Sequence, residues 1–181
     1  VFFAMKFSKP FKSYGHKKYN KETYDGFYRR FDQSKNFPEM AGKDIRAYFN
    51  FDTKDGEKIN IKFALSAVST NGALKNLDTE IPHWDFNKTL QETKQKWNEE
   101  LSKIEIKTFT EDHKTTFYTA LYHTNLTPIL YEDVDGNYRG LDQNIYNSKG
   151  FTNYTIFSLW DTYRALHPLL NITQPQRNND M

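Results

Sequence analysis

The apolar residues of this chain keep two different periods, and the change between them near residue 70 restricts the fold more than any other feature. Up to residue 69 they recur at every second position, as on a strand with one buried face. Ile45, Ala47, Phe49 and Phe51 alternate with polar residues, and Ile59, Ile61, Phe63 and Leu65 resume the alternation. Asp55-Gly56 between them supplies a turn that tolerates positive φ, so the two runs predict a hairpin. Val1–Phe7 reads as another strand and the region around Phe27–Phe31 as a further one. Four strands by themselves leave one apolar sheet face bare, so this third of the chain is expected to be part of an antiparallel sandwich whose other strands lie elsewhere.

Beyond residue 85 the period becomes helical. Thr70–Trp84, with Asn-Gly, Asp and Pro and little periodicity, reads as a connector. Asp85 is placed to cap a helix on which Phe86, Leu90, Trp97, Leu101 and Ile104 form one stripe. Thr110-Glu111-Asp112 starts a second helix, with acids where the dipole favours them, and Pro128 ends it. Tyr131–Tyr138 reads as a small hairpin around Asp135-Gly136. A third helix is expected from Thr155 to about Leu166, disturbed by Pro168. The reading is an α+β fragment in three parts: 1–69, the end of a β-sandwich; 70–105, a linker with an amphipathic helix; and 106–181, the start of a helical barrel. The chain opens directly on a strand pattern and stops a turn after the helix start Thr173-Gln174-Pro175, so it is expected to be an internal piece of something longer.

Composition excludes several functions. No cysteine is present, which removes thiolate metal sites, disulfides and cysteine nucleophiles. No apolar run is long enough to span a membrane. The net charge of +2 divides unevenly: residues 1–62 carry 14 Lys and Arg against 8 Asp and Glu, the remainder 11 against 15. The basic excess is interleaved with tyrosines and acids through Lys17–Asp32, which reads as a solvated face and not as a nucleic-acid stripe. Aromatics make up 17% of the chain, a share that aromatic cores and sugar-stacking surfaces both explain, cores being the commoner cause.

Asp133-Val-Asp135-Gly-Asn137 alternates hard oxygen ligands, but its glycine stands fourth and no glutamate follows at the twelfth place, so it fails the EF-hand template. His113, His123 and His167 share no ligand spacing, and no metal ligand set is assigned to this chain. Nucleophile-elbow, phosphate-loop and dinucleotide motifs are absent. What remains is Phe151–Pro168. On a continuous helix Ile156, Leu159, Tyr163, Leu166 and Leu170 would form one stripe, while Trp160, Arg164 and His167 would share another face with Asp161 beside them. A ring beside a carboxylate and a guanidinium suits a pyranose. A buried Asp161–Arg164 pair under a core tryptophan explains the same spacing, and periodicity alone leaves both open.

Tyr154-Thr-Ile-Phe-Ser-Leu-Trp-Asp-Thr-Tyr-Arg-Ala-Leu-His-Pro-Leu-Leu170 resembles the corresponding stretch of glycoside hydrolase family 92, the bacterial exo-α-mannosidases. Phe7-Ser-Lys-Pro-Phe11, Ala64-Leu-Ser-Ala-Val-Ser69, Phe117-Tyr-Thr-Ala-Leu-Tyr-His-Thr124 with Pro128, and Asp133-Val-Asp-Gly-Asn-Tyr-Arg-Gly140 follow in the family's order. The resemblance implies a β-sandwich joined by linker helices to an (α/α)6 barrel, and inverting, calcium-dependent hydrolysis of terminal α-mannosides of N-glycans, with α-1,2 linkage expected. The partners it implies are a mannose-containing glycan and the remainder of the chain's own polypeptide, with no nucleic acid and no membrane span, and the enzyme would be exported. The acid, the base and the calcium ligands would lie beyond Met181, so no catalytic residue is assigned within this chain, and this chain alone is expected to be inactive. The substrate-binding residues it carries over are Trp160 and Asp161, with Arg164 beside them. A non-catalytic carbohydrate-binding module or an inactive family member is the alternative.

Overall fold

A computed structural model describes residues 1–18 and 45–181, and in it the chain forms two compact units, Val1–Lys6 with Lys62–Met181, and Phe7–Ile61. The expected strand around Phe27–Phe31 and most of Lys17–Asp32 lie outside the described residues. In chain order the first elements are β1 (Phe2–Phe7), β2 (Ser13–Lys18), β3 (Ile45–Asn50), β4 (Ile61–Ser66) and α1 (Thr70–Glu80). There follow α2 (Phe86–Leu101), α3 (Glu111–Thr124), β5 (Asn137–Arg139), β6 (Ile145–Asn147), α4 (Leu159–Thr162), α5 (Leu166–Thr173) and α6 (Pro175–Asp180).

In the smaller unit β2 and β3 pair antiparallel, with Ser13 opposite Asn50 and Gly15 opposite Tyr48. A Cβ on Gly15 would meet the far end of the exposed Tyr48 ring, so a side chain there would displace that ring. Phe7, Phe11, Phe49 and Phe51 cluster beside this pair, Phe7 and Phe49 with ring centroids 4.8 Å apart. Asp55-Gly56 does turn, with Gly56 at φ +72°, but the predicted hairpin across it does not form. β3 takes β2 as its partner and β4 takes β1. Local alternation marks both runs as strands, whereas the choice of partner is non-local and β2, Ser-Tyr-Gly-His-Lys-Lys, has no alternation to announce it.

In the larger unit α1 covers one face of the β1–β4 pair. Ala4, Ala73 and Leu77 are buried together, with Ala64 and Leu74 packed against them. The connector expected over Thr70–Trp84 is therefore helical through Glu80. Ser69 caps it by accepting from Gly72 N at 2.9 Å, and two apolar residues four apart suffice to seat it. Its carboxyl end is held by Lys62, which donates to Ile81 O at 2.7 Å and lies 4.2 Å from the Trp84 ring centroid. On the other face of the sheet Phe3 and Phe63 sit ring to ring at 5.6 Å and remain exposed, as does Leu65.

Asp85 caps α2 and Thr110 caps α3, each side chain accepting from the amide three residues on. The two helices meet where Trp97 packs on Tyr122 at 4.7 Å. The α2 stripe is only half covered, however, since Phe86 is 70% exposed and no α2 residue is buried. α3 ends at Thr124, four residues before Pro128, with Asn125 as its cap. The small hairpin also differs from expectation. Its arms are β5 and β6, Tyr138 facing Tyr146, while Asp133–Gly136 forms a preceding turn closed by Gly136 N to Asp133 O at 2.7 Å. The buried hydrophobic residues among those described are Ala4, Ala73, Leu77, Leu121 and Leu170, none of them aromatic.

Candidate substrate site

The chain approaches the candidate site as an extended segment. Tyr131 N donates to Asn153 O and Thr155 N to Ile129 O, each at 2.8 Å, so 153–155 lies alongside 129–131 like a short strand. The expected helix from Thr155 does not start there, because 153–155 runs extended along 129–131, with Tyr154 bridged to Leu130. Helix begins only after Ser158, whose carbonyl accepts from the amides of Asp161 and Thr162 and from the Thr162 hydroxyl, all at 3.1 Å. It ends at Thr162. Pro168 explains the break: it has no N–H to give to Arg164 O, and its ring would clash with that carbonyl, so α5 restarts at Leu166 with the proline in its first turn.

Thr162 is buried and fixes the inner side of α4, while Trp160, 76% exposed, and Asp161 stand on the outer side. Arg164 Nε donates to the Tyr163 hydroxyl at 2.8 Å, and the guanidinium carbon lies 5.5 Å from the Tyr163 ring centroid and 6.0 Å from that of Trp160. This brings Trp160 and Arg164 together as a stacked cation and ring. Asp161 stays exposed and makes no ion pair with Arg164 or any other described residue. The buried Asp161–Arg164 pair does not form. His167 leaves the group as well, because the helix break turns its ring onto Phe157 at 5.3 Å and its Nδ1 towards Asn178 Oδ1 at 2.6 Å. The predicted apolar stripe dissolves for the same reason: Leu170 is buried, whereas Ile156, Leu159 and Tyr163 face out.

A carboxylate unpaired among the described residues, an indole face and a guanidinium on one turn can accept from hydroxyls, stack on a C–H surface and donate to an oxygen. They do not constitute an acid and base pair. The carboxyls that depart from their ordinary value, Glu57 through Lys9, Asp135 through Lys75 and Asp142 through the Tyr146 hydroxyl, are all held down, the opposite of what a general acid needs. Among the described residues no three His, Asp or Glu side chains come together as metal ligands. Two clefts flank the approach segment. One of about 440 Å³ is lined by Trp97, Tyr154 and Arg177, the other of about 450 Å³ by Tyr131, Tyr138 and Asn153, and Trp160 lines neither.

Two features escaped the sequence reading. Arg177 ties α6 to the rest by donating to Pro128 O at 2.8 Å and Asn125 Oδ1 at 3.1 Å, with its guanidinium over Tyr154. Asp133, Asn76 and Ser66 form a buried polar cluster. Their separation in the chain left no spacing by which to find them.

The family model of the Glycosyl hydrolase family 92 catalytic domain matches residues 72–181, well over half of the chain. The chain belongs to glycosyl hydrolase family 92. Solved family members agree along nearly its whole length. The GH92 alpha-mannosidase BT3965 from Bacteroides thetaiotaomicron is 38% identical over 98% of this chain with a TM-score of 0.78, and has also been solved with mannoimidazole. The GH92 inverting mannosidase BT2199 from B. thetaiotaomicron VPI-5482 is 29% identical over 93% of the chain, TM-score 0.76. The GH92 glycosyl hydrolase ccman5, at 23% identity over 99% and a TM-score of 0.83, shares the fold. A comparison with curated proteins gives no match. The chain spans 23% of BT3965 and 22% of the other two. The mixed α+β architecture with small sheets is that of the GH92 structures, and no helix among the described residues is long and apolar enough to cross a membrane.

Proposed function

We infer that these residues work within a longer polypeptide, an inverting, exo-acting α-mannosidase that removes terminal α-mannosides from N-glycans. The observation that carries this reading is the exposed Trp160–Asp161 pair, its carboxylate unpartnered among the described residues, on a segment inside the family match. Trp160 covers the apolar face of a mannose, Asp161 accepts from its hydroxyls, and Arg164, already held against the ring, donates to a further oxygen. The open setting of the pair is consistent with walls supplied by the rest of the polypeptide, where the acid and base that divide the work of inversion would lie. Calcium, which the resemblance to the family implies, would be held by ligands beyond this chain. A preceding half-sandwich and a following (α/α)6 barrel complete the architecture, α-1,2 linkage is the first to test, and the enzyme is bacterial and exported. The amphipathic helices and the match to a catalytic-domain family favour an enzyme over a sugar-binding module.

The test is hydrolysis by the full-length polypeptide of a set of α-linked mannobioses, followed by NMR. Release of mannose with inverted anomeric configuration is expected. Retention of configuration, or binding without hydrolysis, would overturn the reading. The 181-residue chain by itself should show no turnover.

A further inference from the structure

We propose that Asp133 is a positioning residue that sets the placement of the Trp160 segment from a distance, an inference that rests on the substrate-site reading above. Asp133 is only 4% exposed and pairs with no cation among the described residues. Its carboxylate takes Ser66 Oγ on one oxygen at 2.7 Å and Asn76 Nδ2 on the other at 2.9 Å. Both donors are locked in that role. Ser66 Oγ already accepts from Val68 N at 2.9 Å and Ser69 N at 3.1 Å, so its proton must point at Asp133. Asn76 cannot flip, because its Nδ2 also donates to Leu65 O and its Oδ1 accepts from Val134 N, both at 2.9 Å. Residue 133 must therefore present two acceptors, and an asparagine, with one acceptor and one donor, cannot fit without breaking a bond.

Both oxygens of the buried Asp133 carboxylate are satisfied by donors on other elements, an arrangement that rigidifies the loop carrying it. What it does here is fix one end of a ladder to β4 and α1. Next along the chain Glu132 Oε2 accepts from Asn153 N at 2.9 Å, and Asn153 Nδ2 donates to Tyr131 O at 2.8 Å. Thr155 then bonds Ile129 in both directions, at 2.8 and 3.1 Å. Only Ile156–Ser158 separate that ladder from α4. A shift of the Asp133 loop is thus carried to Trp160 and Asp161 by hydrogen bonds on both strands of the ladder, and small misplacements of binding groups cost about a hundredfold in rate.

The experiment compares wild-type full-length polypeptide with Asp133→Asn, and with Ser66→Ala should Asp133→Asn fail to fold. Hydrogen exchange is followed segment by segment together with mannoside hydrolysis per folded molecule. Faster exchange over 153–162, with α2 unchanged and activity down about tenfold to a hundredfold, is the expected result. Acceleration confined to 66–76 and 131–137 with full activity, or acceleration everywhere, would overturn the proposal, because either is what a merely structural anchor gives. Asp161→Asn run in parallel tests the site itself. If that variant is fully active the substrate reading fails, while exchange over 153–162 still decides whether Asp133 governs that segment.

Discussion

Replacing Asp161 by asparagine keeps the shape of the side chain and turns a charge-assisted acceptor into a neutral one. In the full-length polypeptide kcat/KM for an α-mannoside should fall about tenfold to a thousandfold, or roughly 1.4–4 kcal/mol of transition-state stabilisation. The melting temperature should hold, because the carboxylate is exposed and pairs with nothing described; a sharp drop in it with unchanged activity per folded molecule would make Asp161 structural. Asp135 behaves differently. Lys75, at 3.0 Å, and Asn137 hold its carboxyl below the ordinary value of 3.8. A depressed folded value means a contribution to stability that is complete above the unfolded value, near 4, and lost as pH falls through the lower folded one. Lys75→Met should therefore destabilise at pH 7 by no more than about 1 kcal/mol, given solvent screening, with the difference vanishing in acid. A difference that grew on acidification in urea melts would contradict the assignment. Trp160 and Asp161 are singled out in the sequence through the resemblance of their segment to the family, periodicity alone leaving a substrate role and a structural one both open. Asp133 could be seen there only as a turn residue, since its partners stand at 66 and 76.

At the scale of elements, the capped helices α2 and α3 were legible because a capping side chain and its amide lie three residues apart, within the reach of any reading. Strand pairing and the late start of α4 were not, the first being a choice among distant partners and the second following from the pairing of 153–155 with the distant 129–131; the disturbance at Pro168 was expected, but not that α4 would end as early as Thr162. α1 was hidden by Asn71-Gly72, which reads as a turn and is instead a helix whose glycine leaves room for the Asp133 carboxylate. Gly72→Ala thus reverses the usual sign. In an open helix the change would stabilise by about 1 kcal/mol; here the methyl meets the carboxylate and should destabilise by about 1–3 kcal/mol, the range for overpacking. An unchanged or raised melting temperature would show that the cluster yields easily.

For the whole molecule, the exposed Phe3–Phe63 face of the β1–β4 pair is the feature with the widest effect on behaviour. Among the described residues the sheet has only these two strands, and its bare aromatic side chains invite association. The isolated 181-residue chain should self-associate at micromolar concentration in light scattering, while the full-length polypeptide stays dispersed. A monomeric chain that melts cooperatively at high concentration would show that this face needs no cover.

The pairing of β1 with β4 also has a consequence in time. Residues 8–60 separate the two strands, and a ribosome adds roughly 5–20 residues per second. β1 therefore leaves the exit tunnel on the order of 3–10 seconds before β4, its partner in the sheet, so this pairing can close only after the whole of 8–60 has been made.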